Sequence, residues 1–149
     1  MNNASMTQLL GRNVVAFGDT FEYSGTGDKE LNFEMADDAA MVTITVLDED
    51  GSVVAREDLG DHDKGEHSWT WDGTNVHGNP VDEGTYTFKV SGKDSSGNDV
   101  VVNPLLVGVV DEMSYVTGTP TPSIDGTPFS ISFILRVETS TDAEEGSAE

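Results

Sequence analysis

The chain has no cysteine. This excludes a disulfide framework, a thiolate metal site and a cysteine nucleophile. Basic residues are also scarce: seven Lys and Arg stand against 28 Asp and Glu, a formal charge of −21. A surface of that sign repels phosphate backbones and anionic headgroups, so neither nucleic acid nor membrane is an expected partner. Long apolar runs are missing too. The longest cluster, VVVNPLLVGVV (Val100–Val110), is interrupted by Asn103, Pro104 and Gly108, well short of the ~18 residues that a membrane helix needs. The first residues, MNNASMTQLL, lack the basic region and apolar core of a cleaved secretion signal. That leaves a cytoplasmic protein, export by a route without a cleaved peptide, or a fragment of a longer chain. No G-x-S-x-G elbow is present, and the abundant carboxylates follow from the acidity alone. No enzymatic activity and no cofactor are expected.

What is present is strand-like alternation. Leu31, Phe33 and Met35 alternate with Asn32 and Glu34, and Val42, Ile44 and Val46 with Thr43 and Thr45. EHSWTW (Glu66–Trp71) sets Trp69 and Trp71 on one face. TYTFKV (Thr85–Val90) does the same with Tyr86, Phe88 and Val90. These two runs read as the arms of a long hairpin whose connection, Trp71–Tyr86, is rich in Gly, Asn and Asp. Turn signals recur at Asp48–Ser52, Gly60–Gly65 and Asp94–Asp99. Six or seven short strands at such spacing, with no helix, predict an all-β fold of immunoglobulin or fibronectin-III type over residues 29–103.

The flanks read differently. LLGRNVVAFGDTFEY predicts a hairpin of strands near Arg12–Phe17 and Thr20–Tyr23, with SGTGDK (Ser24–Lys29) as a boundary. A lone hairpin is not stable. The economical solution pairs it with strands near the other end into one small barrel, residues 9–28 plus 104–138, interrupted by the sandwich. There, LLVGVVDEMSYV is expected to kink at Gly108, TGTPTPSIDGTP to form a loop, and Phe129–Glu138 to form a last strand. Residues 1–8 and 139–149 are expected to be flexible tails.

Three residue groups invite a functional reading. DEDGS, DHDKGE, DGTNVHGN and DSSGND place oxygen ligands near glycines, as calcium loops do. None supplies the full D-x-[DN]-x-[DN]-G run with its later glutamate, and tight turns select the same residues. His62, His67 and His77 lack the spacing of a zinc site; His67 shares the tryptophan face by parity. Trp69 and Trp71 would stack sugars on an exposed face, but their alternation favours a core position. No metal is expected.

LLGRNVVAFGDTFEY followed by MVTITVLDEDGSVVAREDLGDHDKGEHSWTWDGTNVHGNPVDEGTYTF resembles the C-terminal region of the bacterial flagellar hook-capping family, also called hook assembly scaffold or basal-body rod modification protein. Leu9, Leu10, Gly11, Arg12, Asn13 and Val14 match a motif that opens a small Tudor-like barrel in that family. Trp71, Asp72, Gly73, Gly78, Asn79, Val81, Gly84, Tyr86 and Phe88 match the pattern of its inserted sandwich, with Pro80 a departure. The resemblance covers roughly residues 9–138. It implies a Tudor-like barrel carrying an inserted sandwich, and a non-enzymatic cap at the distal end of the growing hook. Such a cap retains exported hook subunits and guides their polymerisation. The implied partners are the flagellar hook protein and further copies of the chain, and the implied export route uses no cleaved signal. An extracellular adhesion or carbohydrate-binding sandwich is the alternative.

Overall fold

A computed structural model describes residues 9–138; the tails expected at 1–8 and 139–149 lie outside the described residues. Within that range the chain forms thirteen strands, one 3-10 turn and no α-helix. In order, the strands are β1 (Asn13–Phe17), β2 (Thr20–Tyr23), β3 (Lys29–Met35), β4 (Ala39–Leu47), β5 (Val53–His62), β6 (Gly65–Trp71) and β7 (Gly84–Lys93). Then come β8 (Asp99–Val100), β9 (Val102–Val109), β10 (Glu112–Ser114), β11 (Thr121–Ile124), β12 (Thr127–Pro128) and β13 (Ile134–Glu138), with the 3-10 turn at Ile131–Phe133. Two compact units result. One is continuous, Asp19–Leu105; the other joins residues up to Gly18 with those from Leu106 onward.

The continuous unit is a sandwich. One sheet orders β2, β7, β4 and β5, with β8 added to β7; in the other, β3 lies between β6 and Val102–Leu105 of β9. Period-2 alternation aims one face of each strand inward. Leu31 and Trp71 from one sheet thereby meet Phe21, Tyr23, Ile44, Val46, Tyr86 and Phe88 from the other. A second cluster, Phe33, Met35, Ala39 and Val42, continues the core, and half-buried Trp69 packs against both.

Two expected hairpins do not form. Thr20–Tyr23 does not pair with the strand before it; it pairs with β7, from Thr20↔Thr87 to Tyr23↔Gly84. The reason is burial. Phe21 and Tyr23 are aromatic, and the sandwich core gives both of them ring partners. This strand, placed with the barrel on the sequence, therefore belongs to the sandwich. The segment Ser24–Lys29, expected as a boundary, is a corner inside it: the Tyr23 hydroxyl donates to the Gly27 carbonyl at 2.8 Å. Likewise β6 and β7 are not hairpin partners, because β6 pairs with β3 and β7 with β4 and β2. The Trp71–Tyr86 connection crosses from one sheet to the other.

The discontinuous unit pairs β1 with β13, with a register shift between Val15 and Ala16, and β1 with β9; β10, β11 and β12 form a three-stranded meander. Its core is Leu9, Val14, Ala16, Leu106, Val110, Ile124 and Phe129. Three further expectations concern this unit. Gly108 does not interrupt its strand: β9 runs through it. A Cβ at Gly108 would stand 2.6 Å from Ile124 Cγ2, so the glycine permits a close approach. The expected Pro/Gly loop contains the hairpin β11–β12, turned at Asp125 (φ 54°) and Gly126. The alternation of Phe129, Ile131 and Phe133 is broken by the 3-10 turn. Ser130 caps that turn by accepting from the Ser132 N–H at 3.2 Å, and Phe133 is left exposed.

Candidate functional site: the inter-sheet corner and its groove

Trp71 ends β6 with 1% of its surface exposed. Its ring centroid lies 5.0 Å from Tyr23, 5.4 Å from Tyr86 and 5.8 Å from Phe21, the last two edge-on. Edge-to-face contacts suit the ring quadrupoles and stabilise beyond area burial alone. A buried indole N–H needs an acceptor, and Thr74 provides one with its carbonyl at 3.0 Å.

The connection after Trp71 is built to hold that carbonyl. Asp72 Oδ1 accepts from the Thr74 hydroxyl at 2.6 Å and from the Thr74 N–H at 3.1 Å. Those bonds, the hydroxyl first, hold the Asp72 carboxyl below the usual carboxylate range. Gly73 has φ +78°, and a Cβ there would collide with the Tyr23 hydroxyl, so both backbone and packing select glycine. The Val81 N–H donates to the Gly73 carbonyl at 3.0 Å, and Thr74 bridges Pro80. Val81 packs against the aromatic cluster. At the far end the Tyr86 hydroxyl donates to the Asp82 carbonyl, four residues back, at 2.6 Å. Burial, then the Asp82 charge, pushes that phenol's pKa up.

Between these anchors lies a sealed turn. Asn75 Oδ1 accepts from the His77 and Asn79 N–H groups at 2.9 and 3.1 Å. The Asn75 N–H donates to the Asn79 carbonyl, and Gly78, at φ +82°, donates to Asn75 O. Asp48–Ser52 and Asp94–Asn98 repeat this pattern: Asp48 Oδ1 accepts from Asp50 and Ser52, and Asp94 Oδ1 from Ser96 and Asn98. Gly51 and Gly97 fill the left-handed position. In three of the four stretches weighed as calcium loops, a side-chain oxygen is thus taken up by backbone N–H groups. Among the described residues no three His, Asp or Glu side chains converge as a metal site would require. His67 sits on the tryptophan face, its ring 5.8 Å from Phe33 and 4.7 Å from His62, with Nε2 2.7 Å from the Asp63 carbonyl.

The opening motif lies in the other unit. Leu9 and Val14 are in its core, whereas Leu10 is exposed and bridges Val110. Gly11, at φ +83°, donates to the Val110 carbonyl at 2.9 Å, and Val110 donates to the Arg12 carbonyl. Asn13 Nδ2 donates to Glu138 at 2.8 Å. The structure thus gathers Trp71, Asp72, Gly73, Gly78, Asn79, Gly84, Tyr86 and Phe88 in the sandwich. Leu10, Gly11 and Arg12 lie at a separate turn, closed by the Arg12 N–H on the Leu9 carbonyl, and Val14 follows in β1. Sequence reasoning missed Tyr23, Thr74 and Asn75. Only Asn75 carried a signal, since NVHGN repeats the spacing of DEDGS and DSSGN.

Beside the corner runs a groove of about 360 Å³, lined by Ala55, Arg56 and Glu57 of β5, by Trp69, Thr70 and Trp71 of β6, and by the residues just after Trp71.

A family model for the FlgD Ig-like domain matches residues 18–96, starting where the sandwich starts. The basal-body rod modification protein FlgD of Escherichia coli K12 is 33% identical over 112 residues, covering 70% of this chain and 48% of that protein. Its namesake in Buchnera aphidicola is 27% identical over 138 residues, covering 90% of this chain and 58% of the relative. The chain thus spans about half the length of the curated relatives it matches. The crystal structure of FlgD from P. aeruginosa superposes with a TM-score of 0.69 at 25% identity, covering 85% of this chain and 96% of that one. The structure of FlgD from Xanthomonas campestris, titled for hook capping essential for flagellar assembly, gives 0.78 over 93% of this chain and all of the other; at 22% identity it shows the fold alone. With more than half of its residues matched by the family model and the all-β architecture shared, the chain belongs to the FlgD family.

Proposed function

We propose that this chain is the core of a non-enzymatic scaffold for flagellar hook assembly. In the full-length protein, several copies form a cap at the distal end of the growing hook. The cap retains exported hook subunits and guides them into the polymer, so the partners are the hook protein and further copies of the chain. Export proceeds without a cleaved signal peptide. The observation that carries this reading is the family match to the inserted sandwich, supported by relatives named as basal-body rod modification proteins. The site's chemistry points the same way. Its polar groups are spent on backbone bonds that fix a corner, and its aromatic rings are packed together. Such a site supports a shape more readily than a reaction. The carbohydrate-binding alternative has less behind it, because Trp69 packs against both core clusters and Trp71 is buried.

The test is genetic. A full-length protein carrying this region, supplied to cells that lack their own hook cap, is expected to restore hook elongation seen by electron microscopy. Stable, exported protein at the cell surface with no hooks formed would overturn the reading.

A further inference from the structure

A sheet edge exposes backbone donors and acceptors that can pair with another chain, and natural proteins guard such edges by shortness, bulges, charge or proline. The edges of this molecule differ in that respect. β2 has four residues. β5 is broken by three register shifts against β4 and carries Arg56, Glu57, Asp58 and Asp61. β13 has five residues, a shifted register and Arg136 with Glu138. β6 is the least guarded of these edges, with Glu66 its single carboxylate. It is seven residues long, pairs with β3 in unbroken register from Lys29↔Trp71 to Met35↔Gly65, and contains neither proline nor lysine. Among the described residues no strand pairs with its outer side. That edge borders the groove lined by Trp69, Thr70 and Trp71 on one side and Ala55, Arg56 and Glu57 on the other.

We infer that the edge of β6 accepts an added strand from another protein, an extended segment in which Lys or Arg alternates with small apolar or hydroxyl residues. Main-chain bonds to β6 would supply the pairing, and alternate side chains would enter the groove beside Trp69. Charge selects this occupant. Glu57 and Asp72 at the groove outnumber Arg56, and the chain as a whole carries −21. At this edge a strand from a second copy would bring more carboxylates against Glu57 and Asp72, whereas a basic segment is drawn in. The inference stands whether or not the hook is the site of action, because it needs only the sandwich.

The test uses the whole chain and two synthetic peptides about nine residues long, a usual strand length. One alternates Lys with Val and Thr; the other carries Glu in place of Lys. The basic peptide is expected to slow amide exchange over Gly65–Trp71 and to change tryptophan fluorescence, with affinity falling as salt is raised. Thr70→Lys, which puts a guard on the exposed edge, and Glu57→Lys, which reverses the groove charge, are each expected to weaken binding about tenfold or more while leaving the circular dichroism spectrum unchanged. No added protection on β6 overturns the inference. So does equal binding of the acidic peptide, full binding by both variants, or protection that grows with protein concentration in the absence of peptide.

Discussion

The sandwich and the smaller unit both bury one face of each strand, but with different material. In the sandwich the centre is aromatic: Trp71 from one sheet meets Phe21, Tyr23 and Tyr86 from the other, where Phe21 also contacts Phe88. In the smaller unit Phe129 is the sole aromatic of the buried cluster, and its strands close up through a glycine, Gly108, against Ile124. Large rings fill a wide space between sheets and bring polar handles that must be satisfied, hence the bonds of Trp71, Tyr23 and Tyr86 to backbone carbonyls. Aliphatic side chains carry no such handles, and the fit then depends on close approach. One unit should therefore be most sensitive to loss of volume, and the other to its addition.

The largest effect is expected from Trp71→Ala. It removes the ring that three other rings contact and orphans the Thr74 carbonyl, and should destabilise the sandwich by about 3–5 kcal/mol. Urea unfolding followed by near-ultraviolet dichroism measures it. A loss much below 1 kcal/mol would mean that the rings are not the centre of the core, and the contrast with the smaller unit would fail.

Adding volume is the complementary test. Gly108→Ala forces a Cβ against Ile124 at 2.6 Å and should destabilise by about 1–3 kcal/mol. The double variant Gly108→Ala/Ile124→Ala restores room, so its loss should be smaller than the sum of the two single losses, a coupling that a double-mutant cycle resolves. Gly73→Ala in the sandwich should be destabilising for two reasons, contact with the Tyr23 hydroxyl and a φ of +78°. Tyr23→Phe removes the hydroxyl but leaves the ring carbon Cζ 2.7 Å from the added Cβ and the backbone unchanged, so it should rescue Gly73→Ala only in part. Full rescue would show that the left-handed backbone is not the constraint.

The same contrast explains what was legible in the sequence. Period-2 alternation identified the inward residues of β3, β4, β6 and β7, because that pattern is local and each face has a definite side. The choice of partner is not local. β6 and β7 adjoin in sequence and each has an aromatic face, so they looked like a hairpin, yet they occupy opposite sheets. Phe21 and Tyr23 carried the same ambiguity, settled by ring partners remote in sequence. In the smaller unit the partners are farther still: Asn13 and Glu138 bond across 125 positions. The three sealed turns were legible as turns because Asx and glycine spacing is a backbone requirement. The room that Gly108 makes for Ile124 was not legible, because a glycine that makes room and a glycine that bends a strand look alike in a sequence. The bond from Trp71 to Thr74 left no trace, since its acceptor is a main-chain carbonyl that any residue could have supplied.

The hydroxyl of Tyr86 should contribute less than the rings do. Tyr86→Phe keeps the ring and removes one hydrogen bond at 2.6 Å, an expected loss of about 0.5–1.5 kcal/mol near neutral pH. Its pH dependence has a definite sign. Burial raises the folded-state pKa above the ordinary value of 10.0. The stabilisation is therefore whole below pH 10 and fades as pH rises from there through the folded-state value, because the unfolded chain ionises first. The gap between wild type and Tyr86→Phe should narrow over that alkaline range, as read from urea midpoints against pH.

Asp72 gives the smallest effect and the opposite sign. Its folded-state pKa is lowered, chiefly by the Thr74 hydroxyl, so its contribution is present above the ordinary carboxylate pKa and is lost as pH falls through the depressed value. Asp72→Asn keeps an oxygen in place for both Thr74 donors and removes only the charge. Against wild type it should lose nothing in acid and slightly more as the pH is brought to neutrality, with the difference shrinking in high salt because the carboxylate is exposed to solvent. The comparison separates geometry from charge at the corner. If Asp72→Asn matches wild type at every pH while Asp72→Ala does not, the aspartate acts there as a turn-former, the same work that Asn75 does uncharged three residues later, and the corner does not depend on the acidity that marks the rest of the chain.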